Sequence, residues 1–336
     1  ASLNEEQVEL LFSEIGKIKN QGSAIIYVSH RMDEISLIAD RAIVLRDGLV
    51  VASDHMEKLN REELIRLMTG NPTANASTFE KRHPGRPALK VENLSTKEKL
   101  NDINLDLYRG EVLGIAGLMG SGRTELLRAI FGADRRSHGD IKIGPEMCSA
   151  DIKSPVDAVN NRIGLVNEDR KQQSMLPELS ILQNITLACL ARFAGKFGWL
   201  DSARASLDAE KQIHNLSVDC TSTGQKVNEL SGGNQQKIII ARWLLMDCNI
   251  FLFDEPTRGI DIQTKQMIYE LLDQLARSGK AIVVVSSEAN ELFSICDRIA
   301  VLSNGRLAEI FQRDHWTREA ITTAAFRHYS SLKSPE

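Results

Sequence analysis

The sequence predicts an α/β protein, and three observations support this prediction. An apolar strand pattern, Glu111–Gly117, leads directly into a glycine-rich turn and then into a helical pattern. A second apolar run, Asn249–Asp254, has the length and composition of a buried strand. A strand–helix–strand pattern occurs twice in the chain. Strands that alternate with helices in this way are typical of α/β proteins.

The composition is that of an ordinary globular protein. Of 336 residues, 42% are hydrophobic and 26% are charged, and the length fits about two domains. The net charge of −4 argues against a general attraction to nucleic acid. No apolar run approaches the roughly 18–20 residues that a membrane-spanning helix needs. The cysteines lack any C-x-x-C pair, which indicates reduced packing thiols in the cytosol: Cys148, Cys189, Cys220, Cys248 and Cys296.

The strand–helix–strand pattern is an internal repeat. Gly22–Ala52 aligns without gaps on Gly279–Glu309, with about a dozen identical positions. Each copy is predicted to form a buried strand, a short helix, a second strand and a glycine turn. A self-match of this length indicates duplication. The identical pairs include Ser29/Ser286, Glu34/Glu291, Asp40/Asp297, Arg41/Arg298 and Gly48/Gly305.

The repeat also predicts the domain boundaries. Its offset carries Ala1–Asn4 onto Arg258–Asp261, which directly follow a D-E-P-T segment. Residues 1–70 are therefore expected to be the C-terminal remnant of a first copy. The stretch Asn71–Pro87 is rich in Pro, Gly, Ser, Thr and Asn, which is typical of a linker. Residues 88–336 are expected to form the second copy.

Within the second copy, the sequence predicts a helical segment between the glycine-rich turn and the carboxylate-ended strand. Glu178–Gly195 and Ser202–Val218 each have a helical pattern. They lie in a predicted helical subdomain at about residues 171–228. The C-terminal tail is also predicted to be a helix, with no assignable chemistry.

The glycine-rich turn Gly117–Thr124 matches the phosphate-binding pattern G-x-x-x-x-G-K-[ST], except that Arg123 stands in the lysine position. A strand, a glycine loop and a helix in this order form the context in which loop N–H groups point at phosphate oxygens. Alone, the imperfect motif is equally a glycine-rich turn without function. The predicted phosphate-binding residues are Gly117, Gly120, Ser121, Gly122, Arg123 and Thr124, with the Thr124 hydroxyl also suited to Mg²⁺.

Two carboxylates end the apolar strand Asn249–Asp254. Asp254 at the strand end suits Mg²⁺, reached through water, and Glu255 suits a base that orients an attacking water. The simpler interpretation is a pair of surface acids after a strand. The upstream phosphate loop favours the catalytic interpretation.

The segment L-S-G-G-N-Q-Q-K, Leu230–Lys237, is the most specific motif in the chain. Ser231 is predicted to cap a helix that begins near Gly232, and the small residues leave backbone donors open to an anion. With this segment and D-E-P-T-R-G-I-D downstream, residues from Ala88 to about Ile310 resemble the ATP-binding cassette (ABC) ATPases. The fold implied is a P-loop NTPase of the ABC type with a helical subdomain.

The resemblance narrows further to the fused double ATPases of bacterial monosaccharide importers of the ribose, xylose and galactose type. It rests on the tandem copies together with G-L-M-G-S-G-R-T-E-L-L-R-A-I-F-G, N-E-D-R-K-Q-Q and L-S-G-G-N-Q-Q-K-I-I-I-A-R. It implies binding of ATP and Mg²⁺ and ATP hydrolysis coupled to sugar import. It also implies a peripheral position at the cytoplasmic face of the bacterial inner membrane, with transmembrane permease subunits and, indirectly, a periplasmic sugar-binding protein as partners. The permease and the binding protein would recognise the sugar and so determine which one is carried.

In this family, two cassettes pair head to tail, and each ATP lies between the phosphate loop of one and the signature segment of the other. The resemblance therefore implies two unequal sites. The site on the second copy's loop departs from the family pattern at Arg123, at Glu168 where most members have Gln, and at Ser287 where most have a switch His. A triphosphate beside Glu168 needs a metal or Arg170 to offset repulsion. No aromatic residue lies between Ala88 and Leu107 to stack on adenine.

The site on the second copy's phosphate loop is expected to bind nucleotide with weak or no hydrolysis. The other site would use His30, which aligns with Ser287, together with the signature segment. The resemblance adds these residues to the nucleotide-binding set: Glu168, Ser231, Gly232, Gly233, Gln235, Asp261 and Ser287. The family's groove for the permease coupling helix lies near Glu168, and the charged run Glu168–Lys171 either lines that groove or is solvated.

Two other classes of function stay open at this level. A soluble tandem ABC ATPase acting on ribosomes or DNA is one, although the linker here is short and only mildly basic. A regulatory subunit without catalysis is the other, because the complete copy carries the degenerate site.

Overall fold

The computed structural model describes residues 5–29, 32–46, 48–59, 61–69, 82–195 and 198–329. The described residues fall into two compact units. The first contains those of residues 1–79 together with 259–267, and the second contains the rest. Among the described residues, no helix is long and apolar enough to cross a membrane.

The first unit is a small α+β arrangement. Its strands β1 and β2 form an antiparallel hairpin whose buried side includes Val44, and Leu64 packs with it from α3. The elements are α1 (Glu5–Asn20), α2 (Met32–Ile38), β1 (Arg41–Arg46), β2 (Leu49–His55) and α3 (Arg61–Thr69).

The repeat's first strand forms only in the second copy. Ala24–Val28 was expected to be a buried strand, but the structure has no strand there, and Ile26 and Val28 are 93% and 92% exposed. The corresponding Ala281–Val285 is fully buried between two parallel neighbours. The expectation was wrong for the first copy because a buried parallel strand needs partners on both sides, and the described part of the first unit offers only a two-stranded hairpin.

The second unit contains two sheets. Three of the strands that form the larger sheet, β5, β9 and β10, are nearly continuous apolar runs, as expected for strands covered on both faces. The strands are β3 (Pro87–Thr96), β4 (Ile103–Tyr108), β5 (Val112–Gly117), β6 (Arg136–Ile143), β7 (Cys148–Ser149), β8 (Ile163–Val166), β9 (Ile250–Asp254), β10 (Ala281–Val285), β11 (Arg298–Ser303) and β12 (Arg306–Gln312).

The larger sheet has the strand order β12-β11-β5-β10-β9-β8. All neighbours are parallel except β12, which pairs antiparallel with β11 at one edge. The smaller sheet, β4-β3-β6-β7, is antiparallel. The predicted strands Glu111–Gly117 and Asn249–Asp254 are thus confirmed as neighbours of β10 at the centre of the larger sheet.

Helices flank these strands. They are α4 (Arg123–Ile130), α5 (Pro155–Asn160), α6 (Ile181–Thr186), α7 (Leu190–Phe193), α8 (Ser202–Asn215), α9 (Gly232–Leu245), α10 (Ile262–Arg277), α11 (Ala289–Ile295) and α12 (Arg318–Phe326). The helical pattern Glu178–Gly195 was expected to be one helix, yet the structure breaks it into α6, a 3-10 turn and α7. Both pieces pack on α8, and α6 also packs on α9.

Candidate phosphate-binding site

The predicted site residues lie at one edge of the larger sheet. The phosphate loop follows β5, the two carboxylates follow or end β9, Ser287 follows β10, and Glu168 follows β8. Because β5, β10, β9 and β8 are consecutive parallel neighbours, their carboxyl ends meet at the same edge. The topology therefore brings four separate sequence motifs to one place.

The glycines of the phosphate loop adopt backbone conformations that side chains rarely take. Gly117 has φ 150° and Gly122 has φ 105°. A Cβ on Gly117 would lie 2.5 Å from both the Leu302 carbonyl oxygen and the Ser121 Oγ. The loop turns sharply into α4, whose first-turn N–H groups have no intrahelical acceptor and so remain available to an anion.

The Ser121 hydroxyl is buried at 1% exposure and has no hydrogen-bond partner among the described residues. The hairpin residues Lys99 and Leu100 border the same loop, since a Cβ on Gly122 would lie 2.9 Å from the Leu100 Cδ2. The nearest side-chain atoms are thus a methyl carbon of Leu100 and a methylene carbon of Lys99.

Arg123 turns inward and joins two strand-end loops. Its Nη1 donates to the Ser286 carbonyl at 2.9 Å, and its Nη2 lies 3.8 Å from Glu255 Oε1. Ser287 donates to the other Glu255 oxygen at 3.1 Å. Arg123 and Ser287 thus both lie against the predicted catalytic carboxylate of Glu255.

The Glu255 carboxylate is buried, and ionising it in this position costs free energy. Its side chain is 8% exposed, and burial raises its pKa to about 7, while Arg123 and Ser287 act in the opposite direction. Its backbone is left-handed with φ 47°, which is uncommon for a residue with a side chain. Its N–H donates to the Val285 carbonyl of β10, so the strained turn is pinned to the neighbouring strand.

Asp254 and Thr124 fit a magnesium site. Asp254 is 1% exposed, its Oδ1 has no hydrogen-bond partner among the described residues, and its carboxylate is hydrogen-bonded to the Thr124 hydroxyl. Burial raises the Asp254 pKa, and the Thr124 and Arg123 contacts oppose the rise. The described residues contain no cluster of three or more acidic, His or Cys ligands. A hydroxyl and one carboxylate with a free oxygen match the usual protein contribution to Mg²⁺, which takes its other ligands from water and phosphate.

The charge of Glu168 was expected to be offset by a metal or by Arg170, and its described partner is a third group. Its carboxylate forms an ion pair with Arg258, which follows the D-E-P-T segment. Arg170, named as the offsetting charge, instead donates to the carbonyls of Gly232 at 2.7 Å and Arg258 at 3.2 Å. The reason is topological: β8 and β9 are paired, so the loop after β9 reaches Glu168 across the sheet edge. Burial lowers the pKa of Arg170.

The signature segment begins a helix as predicted. The helix α9 starts at Gly232, and the Ser231 hydroxyl accepts from the Asn234 N–H at 3.4 Å. Gly233 is buried, and Gln235 is 6% exposed and donates to the Leu230 carbonyl at 3.0 Å.

Two predicted residues are not among those that the structure describes in the second unit. Asp261 belongs to the first compact unit, where its carboxylate accepts from the Thr264 N–H and hydroxyl. His30 lies outside the described residues. Sequence reasoning also missed Arg258 and Glu291 as contacts of these loops. The identity of Glu34 and Glu291 in the repeat was a signal for the second of them.

Comparisons with known proteins show which families and structures this chain is similar to. Residues 100–258 match the family model described as ABC transporter. The chain is 42% identical to the ribose import ATP-binding protein RbsA 3 of Rubrobacter xylanophilus over 97% of this chain and 65% of that protein. It is 41% identical to ribose import ATP-binding protein RbsA of Clostridium tetani, over 95% of this chain and 63% of that one.

A putative ribose/galactose/methyl galactoside import ATP-binding protein of Burkholderia lata is 41% identical over 99% of this chain and 65% of its own length. The chain thus spans a little under two thirds of these relatives. Among solved structures, the dimeric post-hydrolysis state of the ATP-binding cassette MJ0796, bound to ADP and Pi, matches with a TM-score of 0.58 and 26% identity. That match covers 68% of this chain and 100% of the other.

Proposed function

Because this chain belongs to the ABC transporter family, we propose that it is the ATP-binding and ATP-hydrolysing subunit that powers import of a monosaccharide through a membrane permease. The observation that carries the proposal is the meeting of the phosphate loop, Asp254, Glu255 and the Ser287 loop at one sheet edge. The names of the relatives supply the sugar class.

The residues at this edge have different roles in nucleotide binding and hydrolysis. The amides of the Gly117–Thr124 loop and the α4 N-terminus bind phosphate oxygens. Thr124 and Asp254 would hold Mg²⁺, which would neutralise phosphate charge. Glu255 in its ionised form accepts a proton from, or orients, the attacking water.

This site is the degenerate one of a pair. The Arg123 guanidinium donates a hydrogen bond to the Ser286 carbonyl and lies near the Glu255 carboxylate. Part of its positive charge is therefore offset within the protein, and less of it acts on a phosphate. Ser287 offers a short hydroxyl where the family has an imidazole. We assign nucleotide binding with weak hydrolysis to this site. The second, intact site would use His30 with the signature Ser231, Gly232 and Gly233, and Gln235 and Asp261 belong to the same pairing.

Residues 1–70 are, in this proposal, the C-terminal part of a first cassette, and residues 71–87 are a linker. The order α2, β1, β2 in the first unit matches α11, β11, β12 in the second. The exposed Ile26 and Val28 are the counterparts of residues that β5 and β9 cover in the second unit. The partners are the permease and, through it, a periplasmic sugar-binding protein. The protein would sit peripherally on the cytoplasmic face of the bacterial inner membrane.

Calorimetric binding of Mg-ATP to the purified chain tests the nucleotide assignment. Wild type should bind, Arg123→Ala should bind several-fold more weakly, and the exposed Arg135→Ala should match wild type. Absence of Mg-ATP binding by the wild-type chain would contradict the proposal.

The site asymmetry is tested by sugar uptake and ATPase activity of the full-length protein with its permease in liposomes. Gly233→Asp places a bulky acid in the signature, so it and His30→Ala should abolish nearly all coupled ATPase activity, since one positioned donor is worth about 10²–10³ in rate. Arg123→Ala and Ser287→Ala should reduce it only partly. Equal damage from all four would reject the asymmetric pair.

A further inference from the structure

Glu291 is a buried carboxylate in the second unit that no step above uses. It lies in the first turn of α11 and is 6% exposed. Its Oε2 accepts from the Thr257 hydroxyl and from the Ser286 hydroxyl, each at 2.7 Å. The Tyr269 phenol is hydrogen-bonded to the same carboxylate. Two hydroxyl donors on one buried carboxylate oxygen fix the Glu291 side chain between the segments that carry them.

The two hydroxyls belong to the two loops that shape the phosphate-binding edge. Thr257 lies two residues after Glu255 in the loop that follows β9. Ser286 is the first residue after β10, and its carbonyl receives Arg123. The next residue, Ser287, donates to Glu255. One carboxylate therefore ties together the backbone segments that carry Glu255 and Ser287.

The first unit contains an equivalent contact. Glu34, which aligns with Glu291, is 7% exposed and accepts from the Ser29 hydroxyl at 2.9 Å. Ser29 aligns with Ser286, and it directly precedes position 30. Because Ala24–Val28 forms no strand in the first unit, the Ser29–Glu34 contact does not depend on the sheet around it. The contact is a local clamp that spans five residues in both copies.

From this we propose that Glu291 is a positioning residue that fixes Ser287 and Glu255 for the terminal phosphate of ATP. The inference rests on the proposed function. The inference goes beyond the proposed function because it assigns a role to a side chain that itself does not touch the nucleotide.

The clamp should affect ATP and ADP differently. The loop amides and Thr124 hold phosphates that both nucleotides possess. Position 287 aligns with the family switch at the terminal phosphate, which ADP lacks. Loss of the clamp therefore weakens ATP binding selectively, whereas general damage to the fold weakens both.

The test measures Mg-ATP and Mg-ADP affinity of the purified chain for wild type, Glu291→Ala and Glu291→Gln. Glu291→Ala should lose about tenfold in ATP affinity, equivalent to about 1.4 kcal/mol, with ADP affinity unchanged. Glu291→Gln keeps an acceptor oxygen and should recover part of the loss. The exposed Glu319→Ala on α12 is the matched control and should bind both nucleotides as wild type does.

Equal losses for ATP and ADP, or no loss in either, would overturn the role. If Glu291→Ala fails to fold, Ser286→Ala and Thr257→Val decide the matter, since each removes one donor and leaves the carboxylate in place. Each should lower ATP affinity more than ADP affinity, and equal affinity changes would again refute the clamp. A wild-type chain that binds neither nucleotide would instead refute the proposed function.

Discussion

The buried Glu255 carboxylate should make the stability of the second unit depend on pH in a defined way. Burial raises its pKa from 4.5 to about 7. Between these values the folded protein binds more protons than the unfolded chain, so the free energy of unfolding falls as pH rises. The effect is complete above pH 7. At about 1.36 kcal/mol per pH unit, the full penalty is about 3 kcal/mol.

Glu255→Gln removes this penalty, because glutamine is a neutral analogue of the protonated acid. At pH 5, where the unfolded carboxyl is already mostly ionised, we expect the variant to be more stable than wild type by only about 1 kcal/mol. At pH 8 the variant should be more stable by about 3 kcal/mol. Urea unfolding followed by tryptophan fluorescence measures this, since all three tryptophans lie in the second unit.

The control is Glu146→Gln, at an exposed turn position, which should track wild type at both pH values. A difference between Glu255→Gln and wild type that stays constant from pH 5 to pH 8 would show that ionisation of Glu255 is not its source. A variant less stable than wild type at pH 8 would show that the contacts with Arg123 and Ser287 outweigh desolvation.

Three further results are expected. Gly117→Ala should lower the free energy of unfolding by roughly 1–3 kcal/mol, measured by thermal melts. The loss should exceed that of Gly120→Ala, because only the Gly117 substitution brings a Cβ against a carbonyl oxygen. Equal melting temperatures for the two variants would contradict this. Arg242→Met should cost roughly 2–4 kcal/mol, since it strips a buried donor from two backbone carbonyls; an unchanged urea midpoint would refute the estimate. A thiol reagent should modify exposed Cys148 quickly and buried Cys248, whose pKa burial raises to about 12, only on unfolding; fast labelling of both in mass spectra would contradict the burial.

The local parts of the site were predictable from sequence. The β5 strand, the glycine turn and α4 follow from an apolar run, backbone-permissive residues and a helical pattern within about 20 positions. The Ser231 cap was likewise a matter of neighbouring residues, because a hydroxyl at this position reaches an N–H in the first turn.

What sequence reasoning missed depends on contacts between distant segments. Glu168 takes its cation from Arg258, 90 positions away, because two strands are paired. The break between α6 and α7 comes with packing on α8, which a local pattern does not contain. The exposure of Ile26 depends on which strands are present beside it, and its apolar character alone gives the opposite expectation.

The central position of β5, β9 and β10 has a consequence for how the site opens. One loop of the phosphate-binding site follows each of these three strands. The strands are adjacent in a sheet that has further strands on both sides. Amide protons in such strands exchange with solvent through the largest unfolding event that the unit undergoes. The loops are therefore anchored in the last part of the unit to unfold. Rearrangement around a ligand is left to side chains and loop backbone, and the carboxyl ends of these strands act as fixed points from which each loop moves.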